Sequence, residues 1–392
     1  MELDFDKNYI SVTRTLSFNR SHPYIKRNHV WFLTFLAMHG VHTVVFILLL
    51  YNIFYIDLKE NDFNKTCSDG VLVVMYLVTT FEYFILLLHQ DSIVDIIDDI
   101  KRDYKEISKM TELEQEVVYK YVKISQWVCK QWVIIAISGN TIFIVGSICL
   151  MCYYHFINDF KLIGMYDLIY PHIIEDRKDE IPVFLFTYIL ILFFGSYGAS
   201  IYAGFVPMGP IFILHACAQL DLVKIRINDL FIVKDDEQVR KNLKYIIERI
   251  QYIDGFVDRV KDCFKICYEI TLKATTIMLP IACYQIIAAA KKGQINLNFL
   301  SFIIGAITIS SAPCYYSDLL IEKGESVRLA LYSCGWERHY DRRTRTTLQL
   351  MLQHALRPIA LNTIFRTLCL DALTDLFQQS YALFNLMCAA WE

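Results

Sequence analysis

Residues 31–56 read WFLTFLAMHGVHTVVFILLLYNIFYI, an apolar run without one Asp, Glu, Lys or Arg. A helix crosses a bilayer core of about 30 Å with about 20 such residues, so this run is long enough to span. Comparable runs follow at 70–89, 132–157, 181–216, 263–290 and 297–321, with a weaker seventh at 372–391. Lys and Arg alternate between them. They number five in 1–30, two in 57–69, seven in 90–131, three in 158–180, nine in 217–262, two in 291–296 and eight in 322–371. Odd segments are rich and even ones poor, 29 against 7, with Lys265 and Lys273 left inside the fifth run. Cytoplasmic loops carry the basic excess. The chain therefore reads as an all-α membrane protein with seven transmembrane helices, N-terminus cytoplasmic and C-terminus extracellular.

Composition agrees. A soluble domain of 392 residues is not usually 55% hydrophobic with a mean hydropathy of +0.36. No alternating strand pattern occurs. The first 30 residues carry Arg14, Arg20, Lys26 and Arg27 without the apolar core of a cleavable signal, so the first span is expected to direct insertion. Asn64-Lys65-Thr66 is a glycosylation acceptor pattern in a predicted outside loop. For Cys67, also outside, a disulfide with Cys152 near the outer end of the third span is open on this topology. No nucleophile–base spacing, phosphate loop or metal-ligand spacing is present. Enzymatic activity, a cofactor, a bound metal and a nucleic-acid partner are not expected.

The inside segments look helical. From 239 to 260, Val239, Leu243, Ile246, Ile250, Ile253, Val257 and Val260 recur at four–three spacing, a heptad seam with charged residues on the other faces. The helix runs into the fifth span and should protrude into the cytoplasm to pack against other helices; lying on the membrane is the alternative. A second amphipathic stretch, 343–356, sets Leu348, Met351, Leu352 and Ala355 on one face. Arg357-Pro358 ends it, because proline lacks the helix donor and restricts the residue before it.

Polar groups at membrane depth are costly. Glu269 and Lys273 stand four apart and read as a structural pair. Glu82 has no partner nearby in sequence, and His42 and Asn140 read as satisfied packing residues rather than ligands for a metal. The fourth span holds Gly195, Ser196, Gly198, Ala199, Ser200, Ala203 and Gly204, then Pro207, Gly209 and Pro210. Small residues permit close helix approach, which is the favoured reading over ligand contact, and the Pro/Gly cluster should kink the helix. The last span carries Gln378, Gln379, Ser380 and Asn385 and is too polar to face lipid on all sides. Several copies around an axis would make a narrow conduction path. Tyr381, Phe384 and Cys388 share one face by spacing, with Leu383 and Met387 beside it. Asp371 and Asp375 lie at the inner end.

With that topology, the C-terminal quarter resembles the insect odorant receptor family. The resemblance rests on Cys334-Gly-Trp336, Arg342-Arg343-x-Arg345, Leu348-x-Leu350-Met351-Leu352 and Arg357-Pro358, ending in Gln379-Ser380-Tyr381-x-x-Phe384-x-Leu386-Met387. Earlier residues resemble the family in topology and aromatic-rich spans. Gustatory receptors end in Thr-Tyr with a later Gln-Phe, which this chain lacks. A G-protein-coupled receptor would need the reverse topology and usually Asn-Pro-x-x-Tyr in its last span. A transporter is disfavoured because no inverted repeat is found. The 46-residue segment 217–262 lacks the long insertion of the odorant co-receptor, so the chain looks like a ligand-tuning subunit.

The resemblance implies a ligand-gated nonselective cation channel in the plasma membrane of a sensory dendrite. It would be a heterotetramer with the co-receptor. Residues 1–330 would supply six spans, the ligand site and the cytoplasmic extensions, and 331–392 an anchor helix and the pore helix. Tyr381, Leu383, Phe384, Met387 and Cys388 would line the pore, while Ile246, Ile250, Ile253 and Trp336 would serve assembly. A small volatile odorant would bind among the second to sixth spans, towards the outside. Candidates there are Val73, Tyr76 and Thr80 in the second span and Ile144, Ser147, Ile148 and Met151 in the third. The fourth offers Phe184, Tyr188 and Ile191, the fifth Met278, Cys283 and Tyr284, and the sixth Phe302 and Ile303.

Overall fold

The computed structural model describes residues 3–157, 160–232, 235–291, 293 and 297–391. Its main helices are α1 (Ile10–Phe18), α2 (His29–Asn52), α3 (Phe63–Leu88), α4 (Gln90–Glu106), α5 (Glu112–Phe156) and α6 (Ile181–Phe205). They continue as α7 (Met208–Asn228), α8 (Asp236–Lys291), α9 (Leu297–Ser333), α10 (Arg342–His354) and α11 (Leu370–Trp391). Among the described residues the only extended pairing is an isolated bridge between Asn362 and Thr367.

Helix length explains the architecture. At about 1.5 Å per residue, the 45 residues of α5 and the 56 of α8 run to ~68 and ~84 Å, at least twice a bilayer core. Both extend from the membrane on the side of the basic segments. Among the described residues, six helical stretches are long and apolar enough to cross a membrane. The seventh element, α11, packs along α8 and α9.

The third span proves to be the C-terminal part of α5, which starts twenty residues before the expected 132, at a capping box of Thr111 and Glu114. There the Thr side chain and the Glu carboxylate satisfy each other's backbone donors. The fourth span breaks, as its Pro/Gly cluster predicts: α6 stops at Phe205 and α7 starts at Met208, with Pro207 between. Tyr268 of α8 crosses at Gly209, where a Cβ would lie 2.1 Å from the phenol oxygen.

Residues 208–220 of α7 are all buried, so the apolar run 181–216 does not all face lipid. Its second part, continuing to Asn228, is a central strut packed by α5, α8 and α9. A helix apolar on every side must be enclosed, and protein encloses this one. Val239, Leu243, Ile246, Ile253, Val257 and Val260 of the heptad seam are buried in the same core, and Ile250 packs at its margin. The seam is thus an intrachain one. Ile246 and Ile253 are covered by this chain itself. Trp336, half-buried, sits in a short 3₁₀ turn after α9 and donates its indole N–H to the Tyr332 carbonyl at 3.2 Å.

Buried charges tie this bundle together. Asp103 of α4 meets His215 Nε2 of α7 at 2.9 Å and Arg249 of α8 at 2.8 Å, and Arg249 reaches Gln219 at 2.6 Å. His215 and Asp103 are therefore a buried pair. Burial pushes the Asp103 carboxyl up, but the His215 and Arg249 contacts outweigh it and hold the group below its ordinary value. Arg226 joins Glu114 at 2.8 Å, Asp221 accepts from Tyr121 at 2.7 Å, and Lys323 stands 3.0 Å from Asp221. The expected Glu269–Lys273 pair forms at 3.9 Å, with the Lys side chain largely exposed.

Candidate functional site

Between the spans lies a cavity of about 220 Å³. Its walls come from α2, α3, α5, α6, α8 and α9, so the first span takes part as well as the second to sixth. Space arises because small residues face one another: Ala136 and Gly139 on α5, Gly195, Gly198 and Ala199 on α6, Ala274 on α8, Gly305 and Ala306 on α9. Larger groups complete the wall, among them Met75, Trp132, Phe143, Phe194 and Tyr202. Such a lining holds an apolar molecule by removing its surface from water, worth about 25 cal/mol per Å², while a few polar groups orient it.

A roof closes one end. Met165, Tyr166 and Leu168, from the connection between α5 and α6, line the cavity. Asn52 at the end of α2 holds this segment twice, donating to the Ile169 carbonyl at 2.8 Å and accepting from its N–H at 3.0 Å. The Tyr166 hydroxyl donates to Asp69 at 2.7 Å, and Lys65 lies 3.5 Å from Asp167. The backbone of an irregular segment is thereby satisfied where it leaves solvent.

Of the residues expected to contact ligand, Tyr76, Ile191, Met278 and Phe302 line the cavity. Val73 and Ile303 pack in apolar clusters adjoining it. Thr80 is half-buried outside the lining. Ser147 and Tyr188 hydrogen-bond to each other at 2.9 Å, joining α5 to α6, and Phe184 packs against Tyr188. Ile144 and Met151 are half-buried and Ile148 is exposed; Cys283 and Tyr284 lie half-buried along α8 beyond Met278. The cavity sits one to three turns deeper than expected on α5 and α6. The missed signal was the register of small residues at that depth. It was also the polar pair set aside as packing, since His42 and Asn140 both line the wall. Gly195 does pack closely, as the small-residue reading requires: a Cβ there would meet Asn140 Oδ1 at 2.4 Å.

Glu82 is buried at the base of α3, and Thr271 Oγ1 lies 3.5 Å from its Oε1. Asn64 occupies the first turn of α3, half-buried and with Oδ1 enclosed. Cys67 and Cys152 are both free thiols, so the bridge open on the topology is not formed.

On α11, packing splits the residues grouped by spacing. Ala372, Leu376 and Ser380 are buried, and Phe384, Met387 and Cys388 continue that side half-buried. Ser380 Oγ meets the Thr276 carbonyl of α8 at 3.4 Å. Tyr381 and Leu383 are exposed, together with Thr374, Gln378, Ala382 and Asn385. Asp375 pairs with Arg366 at 3.4 Å, while Asp371 stands in the first turn.

A family model described as 7tm Odorant receptor matches residues 62–381. Odorant receptor 13a of Drosophila melanogaster is 24% identical over 241 residues, 57% of this chain and 56% of that one. The odorant receptor coreceptor of Ooceraea biroi is 29% identical over 147 residues, 35% of this chain and 29% of its own length. The alignments thus span about half or less of these relatives. Among solved structures, the insect olfactory receptor OR5 from Machilis hrabei in complex with eugenol superposes with a TM-score of 0.74 at 11% identity, covering 98% of this chain and all of that one. That likeness concerns the fold.

Proposed function

The chain belongs to the 7tm odorant receptor family, and on that premise we propose that it is a ligand-tuning subunit of an odorant-gated, nonselective cation channel. The roofed apolar cavity carries this reading: it is enclosed by six helices and sized for a small volatile molecule. The basic bundle lies in the cytoplasm, the roof faces outside, and the chain works with a co-receptor in a heterotetramer in the plasma membrane of a sensory neuron dendrite. The short 217–262 segment supports a tuning rather than a shared subunit.

Ligand entering the cavity pushes α8 and α9 through Met278 and Phe302, and α11 packs on those two helices. That contact is the route from ligand to conduction path. The exposed polar side of α11, with Gln378 and Asn385, faces the pore axis. Phe384, Met387 and Cys388 brace it from behind, and Tyr381 and Leu383 flank it. Residues 1–330 thus sense and 331–392 conduct.

Currents from cells expressing the chain with and without a co-receptor, against a volatile panel, test the proposal. Ligand-evoked cation current only in the co-expressing cells is expected. Currents that need a G protein, or a C-terminal tag protected in intact cells, would overturn it.

A further inference from the structure

His42 stands out among the polar groups of the cavity wall. It is 1% exposed, and neither Nδ1 nor Nε2 has a hydrogen-bond partner among the described residues. Four of its polar neighbours in the wall are already engaged, whereas the hydroxyls of Tyr202 and Thr275 are not among the described residues. Tyr76 bonds Thr43 at 2.8 Å, Asn140 donates to Ser196 at 3.1 Å, Thr79 donates to the Met75 and Tyr76 carbonyls, and Ser301 to Asn298.

Aromatic rings fix the orientation of the imidazole. Phe194 stacks on it at 4.5 Å and 26°, Tyr76 lies at 4.8 Å, and Tyr197 meets it edge-on at 5.2 Å. The ring edge that carries both nitrogens has Cε1 at its centre. That atom lies 3.7 Å from where a Cβ on Gly198 would stand. Gly198 itself belongs to the cavity wall, beside Gly195 and Ala199. The nitrogen edge therefore faces α6 at a glycine, where that helix sets no side chain against it.

We propose that the ligand of this cavity is a small alcohol or phenol whose hydroxyl pairs with His42, while the aromatic and aliphatic wall encloses the rest. This rests on the reading of the cavity as the ligand site. A buried polar group left unpaired is costly, so an occupant that satisfies it gains over one that does not. Neutral imidazole offers one donor and one acceptor. A hydroxyl serves either nitrogen, whichever carries the proton, whereas an ether or carbonyl oxygen serves only the N–H. A hydrocarbon serves neither. Rejection of an analogue lacking the paired group is the usual consequence of such a site.

The experiment uses a matched pair of probes, 4-ethylphenol and 4-ethyltoluene, which share shape and differ in one hydroxyl. Concentration–response curves are recorded with the co-receptor, and ligand-induced melting shifts on the purified chain. The wild type should favour 4-ethylphenol by about tenfold, the worth of a buried hydrogen bond. His42→Phe, which keeps the aromatic clamp, should erase that preference by weakening the phenol alone, and His42→Gln should restore part of it. Equal response of the wild type to both probes would overturn the proposal, as would no melting shift with either. A His42→Phe variant that keeps the phenol preference would overturn it too, because a trapped water would then be what satisfies the ring. Gly198→Leu, which fills the cavity, separates the two readings. If it leaves both responses intact, the cavity is not the ligand site. If it abolishes both while His42→Phe leaves the preference intact, the site stands and its hydroxyl selectivity falls.

Discussion

The basic-side bundle and the membrane cavity share the long helices α5, α8 and α9 and treat polar groups in opposite ways. In the bundle, Asp103, His215, Arg249 and Gln219 satisfy one another around the buried residues 208–220 of α7. Around the cavity, small residues face each other and His42 is left unpaired. Paired buried charges hold a structure together once formed, because removing one partner strands the other. An unpaired group beside a void is instead a place for something else to bind. The first region is expected to answer mutation with unfolding, and the second with altered ligand response.

The largest effect should come from Asp103→Ala, which leaves His215 and Arg249 buried without their partner. A loss of about 3–5 kcal/mol is expected, enough to remove the monodisperse peak in detergent chromatography. A folded, ligand-responsive variant would break the contrast. Linkage gives a second check. The folded Asp103 titrates below its ordinary value, so its stabilisation is present above the unfolded carboxylate pKa of about 3.9 and is lost as pH falls through the folded value. Melting temperature should drop below about pH 4 by more in the wild type than in Asp103→Asn.

Next in size is Gly195→Leu on the cavity wall. Its side chain would enter space that Asn140 Oδ1 already limits to 2.4 Å from a Cβ. Response to every ligand should fall by more than about tenfold, with melting changed by no more than the ~1–3 kcal/mol of overpacking. If unfolding dominates instead, the cavity wall is as tightly determined as the bundle. In α11, Asn385→Leu should alter ion permeability ratios in reversal-potential measurements and leave ligand potency within about twofold. Phe384→Ser, on the packed side, should raise current without ligand. The reverse pattern would put the pore on the other face.

The smallest effect is expected at the roof. Asn52→Ala removes two hydrogen bonds to Ile169, each worth about 1 kcal/mol net. A few-fold change in ligand potency and faster washout are expected. No change in washout would mean that ligand does not pass this roof.

The membrane helices, the heptad helix running into the fifth span and the break at Pro207 were legible because each is a local pattern. Length, spacing and proline chemistry settle them without knowledge of neighbours. The His215–Asp103 pair was not legible: the two residues lie 112 positions apart, and neither belongs to a spaced motif. On α11 the spacing grouped Tyr381 with Phe384 and Cys388, but only the packing of α8 and α9 decides which side of a helix is covered. Cavity depth was misjudged for the same reason. A glycine read alone says that something comes close, whereas glycines and alanines on four helices leave a void only if they meet at one level.

What the sequence determined by itself was therefore one-dimensional: which stretches enter a membrane, which end is basic, where a helix must break, and a terminal motif of an odorant receptor. Those follow from transfer energies and backbone chemistry that act residue by residue. Tertiary structure alone decided that the end of the fourth apolar run is a buried strut, that His42 lines a hole rather than fills a core, and that Asn52 fastens a roof. Each of these depends on distances between residues far apart in the chain. Burial and hydrogen bonding are properties of such pairs, and they exist only once the helices have packed.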